Sequence, residues 1–365
     1  MKDKILIIGG YGQVGRNVCT ELMNIFPNKI IIGGRNIKKA VSFSEETQWN
    51  VKPLKIDIYD TRKYNAILND ISLVVMCLSP KNTDLALYCI ENNINYIDIS
   101  PSYKMASELA LYKNIPIKTQ ATCVLGVGLA PGLSNLMVKK AKSFFDYINS
   151  VNIFLMLGVG EKHGNDGIKW LLDNINNVYT INYDNKPRVV TPFGTIKKTT
   201  FIDKTNQRKT FSFDLADQHS IPKTLGLANV SSYFCYDSSF VTREIVLLKK
   251  IGFFKMLRIS WMYNFIANIF RIVLDVINRL KLCSDIYIVK IDIEGVKDNE
   301  SINLQSSIVG YNNSIITGKI AAIVAKQIYT GKIKRGIYYL EEMFDFDSFY
   351  SELKNDITYT YKINQ

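Results

Sequence analysis

Three glycines, Gly10, Gly12 and Gly15, follow the apolar run KILII with the spacing G-x-G-x-x-G and lead into a segment of helical pattern. Between a strand and a helix, each has a separate physical task. Gly10 permits a tight turn, Gly12 lets the backbone approach a pyrophosphate, and Gly15 lets the helix pack closely on the strand. The amides of Gln13, Val14 and Gly15 then form a helix N-terminus, whose unsatisfied N–H groups suit an anion. About 20 residues downstream, a dinucleotide with a free ribose 2′-hydroxyl calls for Asp or Glu at the end of the second strand. The sequence there reads IIIGGRN, with no carboxylate between Glu21 and Glu45; Arg35 and Asn36 stand in that place, followed by Lys38 and Lys39. A guanidinium fork suits a 2′-phosphate, which a carboxylate would repel. The expected cofactor is therefore NADP(H), in preference to NAD(H).

Further positions fall at the ends of later apolar runs. Asp57 ends KID, where it can hold an adenine amine. Leu78 and Ser79 end VVMCLS, on the nicotinamide side of such a site. Asp98 and Ser100 end NYIDIS, close to where hydride would be delivered.

Proton transfer near neutrality is best served by a group that titrates there, and the chain has two histidines. His163 lies in GVGEKHGNDG, a glycine-flanked polar loop. His219 lies in DLADQHSIPKT, where Asp217 is near enough to orient an imidazole and Lys223 can hold a carboxylate. Neither occupies an apolar face. The expectation is that one of them, His163 first, acts as general acid/base or binds substrate in an interdomain cleft. Asp98, Ser100, Asp217 and Arg243 are further candidates for that pocket, although an ion pair on a helix surface accounts equally well for Arg243.

The elements that must position these residues are legible as patterns. Over the first 125 residues, strands are expected at 4–9, 29–33, 52–57, 72–77, 95–99 and 121–125, alternating with helices near 13–26, 36–44, 61–69, 82–92 and 103–113. Near-continuous apolar strands between helices predict a doubly wound parallel α/β sheet of Rossmann type. After a helix at 132–145, the pattern changes to longer runs at 147–157, 176–183, 187–202 and 209–215, a helical block at 238–282, strands near 285–294 and 302–309, and a helix near 312–330. This predicts a second α+β domain on a mostly antiparallel sheet. The expected domains are 1–128, closed by a C-terminal segment of about 331–365, and 129–330 for substrate and dimerisation.

Composition narrows the class. A length of 365 residues implies two domains, and 47% apolar with 21% charged residues is ordinary for a globular protein. The net charge of +12 is spread without a block of like charges, which argues for a lysine-rich surface rather than a nucleic-acid partner. Such a surface also draws in a phosphorylated cofactor or an acidic substrate. The six cysteines form no C-x-x-C pair and no Cys/His cluster, so no metal site is expected and the chain reads as reduced and cytoplasmic. In the segment 251–280, Asn264, Asn268, Arg271, Asp275 and Asn278 form one polar stripe on an apolar helix. Burial between domains or in a dimer is the first expectation, and a membrane-surface helix the second.

GGYGQVG, the GGR of strand two, CLSP, NYIDIS, GLAPGLSNLM at 128–137 and the C-terminal GKIKRGIYYLEEMFD together resemble the saccharopine dehydrogenase-like oxidoreductases. The resemblance covers both ends of the chain and only loosely the middle third. It implies a Rossmann domain closed by the C-terminal segment, a central substrate domain, a homodimer, and hydride transfer at a C–N bond of an amino acid or polyamine. In one respect the chain departs from the pattern: saccharopine reductases carry a substrate-contacting acidic residue where Ala130 stands, which points away from saccharopine itself. Reduction of a ketone or an activated C=C bond is the alternative chemistry, and a non-catalytic cofactor sensor is the alternative class.

Overall fold

The computed structural model describes all residues except 1, 115–118, 161–164, 185, 203–206, 280–283, 332 and 365. In chain order the strands are β1 (Lys4–Ile8), β2 (Ile30–Gly34), β3 (Val51–Lys55), β4 (Ile71–Met76), β5 (Asn95–Asp98), β6 (Thr122–Leu125), β7 (Tyr147–Leu157), β8 (Tyr179–Tyr183), β9 (Lys186–Val190), β10 (Ile196–Thr199), β11 (Arg208–Ser212), β12 (Val230–Tyr236), β13 (Ile286–Lys297), β14 (Glu300–Tyr311), β15 (Gly336–Tyr339) and β16 (Ile357–Asn364). Two compact units form, Met1–Leu133 with Ser314–Phe344 and Ser134–Asn313 with Asp345–Gln365.

The first unit is a seven-stranded sheet in the order β15-β6-β5-β4-β1-β2-β3, parallel at every pairing. Its central strands are apolar on both faces because helices cover both, the usual condition of a parallel sheet. Leu6, Ile8, Val74, Met76 and Leu125 join one buried cluster, and the helix Gln13–Ile25 buries Val18, Cys19 and Leu22. The helix Asn313–Tyr329 packs closely on that helix, since a Cβ on Gly318 would lie 2.6 Å from the Asn17 Cβ. Its Tyr329 ring lies 4.5 Å from that of Phe26, and the Tyr329 hydroxyl donates to the Asp3 carbonyl at 2.9 Å.

The chain is thus partitioned differently from the sequence expectation. The helix near 312–330 sits with the first unit from Ser314 onward, and the returning segment 331–365 is shared between the two. β15 extends the first sheet beside β6, whereas β16 pairs with β14 in the second.

The second unit is built on a sheet in the order β10-β11-β12-β7-β13-β14-β16, antiparallel except where β12 runs parallel to β7. β12, VSSYFCY, was not expected from the sequence, because its serines and aromatics give no clean alternation; it is buried along nearly its whole length. The run 187–202, expected as one strand, is broken into β9 and β10, where Phe193 takes a φ of +58° and donates its amide to Ser212. β9 pairs with β8 in a separate two-stranded sheet. The helical block resolves into Ser239–Lys250, a 3-10 turn Phe253–Arg258 and Ser260–Arg279. On the last helix Met262 and Ile266 are buried while Trp261 and Phe265 are exposed, so only part of its apolar face is covered. Among the described residues, no helix is long and apolar enough to cross a membrane.

Candidate functional site

In a parallel sheet the C-terminal ends of the strands share one edge, and ligands of such sheets bind beyond it where the strand order reverses. Here that point lies between β1 and β4. Gly9 ends β1 at a φ of +77°, conformational freedom that only glycine supplies without strain, and the Leu78 side chain packs against it from the end of β4. Gly12 donates its amide to the Gly9 carbonyl at 2.8 Å and caps the helix Gln13–Ile25 without a side-chain hydrogen bond. A Cβ on Gly15 would stand 2.3 Å from the Gly9 oxygen and 2.7 Å from the Gly10 Cα. Close packing of helix on turn therefore fixes that position. Val14 is half-buried and Gln13 exposed, the latter donating from Nε2 to the Ser314 hydroxyl at 3.4 Å.

The end of β2 carries Arg35, exposed and without an ion pair among the described residues. Asn36, also exposed, caps the helix Ile37–Glu46 by accepting the Lys39 amide at 3.2 Å. Its own amide donates to the Tyr11 hydroxyl at 3.3 Å, which lies so close over Gly34 that a Cβ there would be 2.3 Å away. Tyr11 thus ties the glycine turn to the second strand, a role signalled only by an aromatic residue between two of the glycines. The nearest downstream acids do not replace the missing carboxylate: Glu46 is held by the Arg16 guanidinium at 2.5 Å, which also lies over the Phe43 ring. Asp57 is exposed and accepts the Tyr59 amide at 3.1 Å; Ser79 is exposed after β4.

Asp98 ends β5 on the same edge and is 2% exposed. Its Oδ1 accepts the Ser100 amide at 3.0 Å and its Oδ2 the Ser100 hydroxyl at 3.2 Å. Burial pushes its carboxyl up to about 7, against the hydrogen bonds from Ser100 that favour the charged form. A charge there in turn raises the thiols of Cys77 and Cys123, which burial already holds well above their usual range. Tyr339, at the end of β15, has a buried hydroxyl with no hydrogen-bond partner among the described residues, and burial together with the nearby Tyr103 raises it strongly.

The second unit holds the other candidates. His219 Nε2 is 2.5 Å from Asp214 Oδ1, and its ring meets Tyr179 edge-on at 6.0 Å. Asp217, expected to orient that imidazole, instead accepts hydrogen bonds from Ser134 (3.1 Å), Ser232 (2.9 Å) and the Gln218 amide (3.0 Å). It is fully buried, and desolvation raises its carboxyl. The reason is helical geometry: Asp217 opens the helix Asp217–Leu225, and side chains two residues apart point in different directions. Arg243 is exposed, pairs with Glu244 at 3.2 Å and lies over the Phe240 ring, which is the helix-surface arrangement. His163 lies outside the described residues. Lys290, overlooked in the apolar run of β13, is buried and donates to the Thr199 hydroxyl at 2.9 Å and the Thr200 carbonyl at 3.2 Å.

A glycine turn at the switch point of a seven-stranded parallel sheet has the architecture of a dinucleotide-binding domain. The sequence comparison is consistent with this: residues 5–124 match the family described as the saccharopine dehydrogenase NADP binding domain. Along its whole length the chain has the fold of the saccharopine dehydrogenase (L-Glu forming) from Saccharomyces cerevisiae, at 14% identity, with 100% of each chain covered and a TM-score of 0.71. Residues 5–124 thus resemble that NADP-binding domain, and the chain as a whole shares its fold with a saccharopine dehydrogenase. Weaker likenesses include the C. glutamicum DAP dehydrogenase (12% identity, 97% and 99% covered, TM-score 0.47) and an engineered D-amino acid dehydrogenase (13%, 93% and 94%, 0.47). No curated protein matches the sequence.

Proposed function

We propose that this chain is an NADP(H)-dependent oxidoreductase that adds hydride to the carbon of a C=N bond, or removes it from the CH–NH carbon in the reverse direction, in an amino-acid- or polyamine-like substrate. The observation that carries the reading is the placement of Asp98, a carboxyl that burial pushes up to about 7, on the sheet edge that also presents the glycine turn. The glycine-turn amides suit the pyrophosphate and Arg35 the 2′-phosphate, and among the described residues no carboxylate pairs with Arg35. When bound, the nicotinamide supplies the hydride. The chain must then manage a proton at the substrate nitrogen, which favours a group poised near neutrality. Asp98 holds that proton on its carboxyl, and Ser100 fixes the carboxyl's orientation through two hydrogen bonds.

The experiment is a screen of NADPH consumption by the purified chain across amino acids and polyamines paired with oxo-acids or aldehydes. Turnover with at least one amine–carbonyl pair, and none with the carbonyl alone, is expected. Consumption with carbonyl compounds regardless of amine would replace the C=N reading with ketone reduction.

A further inference from the structure

The helix Ser260–Arg279 carries an apolar row that its own unit leaves exposed among the described residues. Trp261, Phe265, Ile269, Ile272 and Val276 recur every three or four residues, which places them on one face, and all five are exposed, Trp261 to 68% and Phe265 to 54%. Met262 and Ile266, on the neighbouring face, are buried and fasten the helix to its own unit. Asn264, Asn268 and Arg271, on the other flank, are exposed. The row is therefore bounded by packed protein on one side and a polar stripe on the other. Ile259, just before the helix, extends the exposed apolar surface.

Charge identifies the occupant. Residues 245–274 contain five basic residues, Lys249, Lys250, Lys255, Arg258 and Arg271, and no Asp or Glu. Four of these, all but Lys249, are exposed. A second copy would add the same uncompensated positive charges to the assembly and supply no acidic patch from this segment to meet them. An anionic lipid surface complements it, while Trp and Phe beside basic residues suit the headgroup–acyl boundary. The helix is too polar to span a bilayer and has the pattern of one that lies in its surface.

We propose that the helix Ser260–Arg279, with the basic turn before it, docks this protein on an anionic bilayer surface, burying the row from Trp261 to Val276 in the interface. The test is flotation of the full chain with vesicles of phosphatidylcholine alone or of phosphatidylcholine with phosphatidylserine. Binding to the phosphatidylserine vesicles, weakening as salt rises, is expected, with little binding to phosphatidylcholine. The Trp261→Ser/Phe265→Ser double variant should lower the bound fraction about tenfold or more, with NADPH binding unchanged as the sign of an intact fold. Should that variant unfold, Lys250→Gln/Lys255→Gln/Arg258→Gln carries the test, because these side chains are exposed; it too should release the protein. Absence of flotation with anionic vesicles, or flotation unchanged in the folded variants, would overturn the proposal. So would a dimer by light scattering that both apolar substitutions dissociate without any vesicle binding.

Discussion

The Nε2 atom of His219 stands 2.5 Å from a carboxylate oxygen of Asp214, five residues earlier in the chain and just before the helix that carries the imidazole. The acid nearest to the histidine in sequence, Asp217, faces the hydroxyls of Ser134 and Ser232 instead. Two carboxylates in the same short segment thus do different work. Removing either partner of the Asp214–His219 pair should cost stability, and the losses should not add. In urea unfolding of Asp214→Asn, His219→Asn and the double variant, a coupling of about 1–2 kcal/mol is expected.

The proposed function assigns cofactor choice to Arg35. The KM for NADPH should lie well below that for NADH in the unmodified protein. Arg35→Asp exchanges an attractive guanidinium for a repelling carboxylate, which should narrow or reverse the gap, by about 10- to 100-fold for a lost charge-assisted contact. Equal KM values for the two cofactors in the unmodified chain would refute the assignment.

Asp98 makes stability depend on pH. Its carboxyl is raised in the folded chain from 3.8 to about 7, so the folded state binds the proton more tightly than the unfolded one. The stabilisation this gives is complete below pH 3.8 and is lost as pH rises towards about 7, on the order of 4 kcal/mol in all. Asp98→Asn removes the titration. Its stability relative to the unmodified protein should therefore climb across that window and level off above it, as thermal melts at a series of pH values would read. If Asp98 supplies the proton, the reductive kcat/KM should also fall as pH rises through about 7, and the variant should lack that limb.

Gly15 is the least replaceable residue of the turn. The atoms a Cβ would meet belong to the backbones of Gly9 and Gly10, which cannot rotate away. Gly15→Ala should lower stability by about 1–3 kcal/mol and abolish NADPH binding by fluorescence titration. Gly12→Ala meets only the Gly9 oxygen, at 3.1 Å, and should fold normally while binding the cofactor more weakly.

The first sheet was legible because its signals are local. Continuous apolar strands, helical spacing and the glycine turn each lie within a few residues, and β1, β2, β4, β5 and β6 fall within a residue or two of their expected bounds. β12 and β16 were not legible: their burial comes from partners far away in the chain, β12 beside β7 and β16 beside β14. The candidate site divides in the same way. Arg35 and the glycines could be read from spacing, whereas the Tyr11 hydroxyl at Asn36 and the choice of Asp214 over Asp217 depend on how side chains turn after the backbone has folded.

The chain passes from one unit to the other three times, after Leu133, Asn313 and Phe344. This has a consequence for biosynthesis. A ribosome delivering the chain from its N-terminus completes β1–β6 early, but the strand that covers the outer edge of β6 emerges some 200 residues later. During that interval the nascent nucleotide-binding sheet keeps an open edge, ready to pair with other chains. Slow translation between β6 and β15 should therefore favour aggregation, and supplying Ser314–Phe344 as a separate peptide should suppress it.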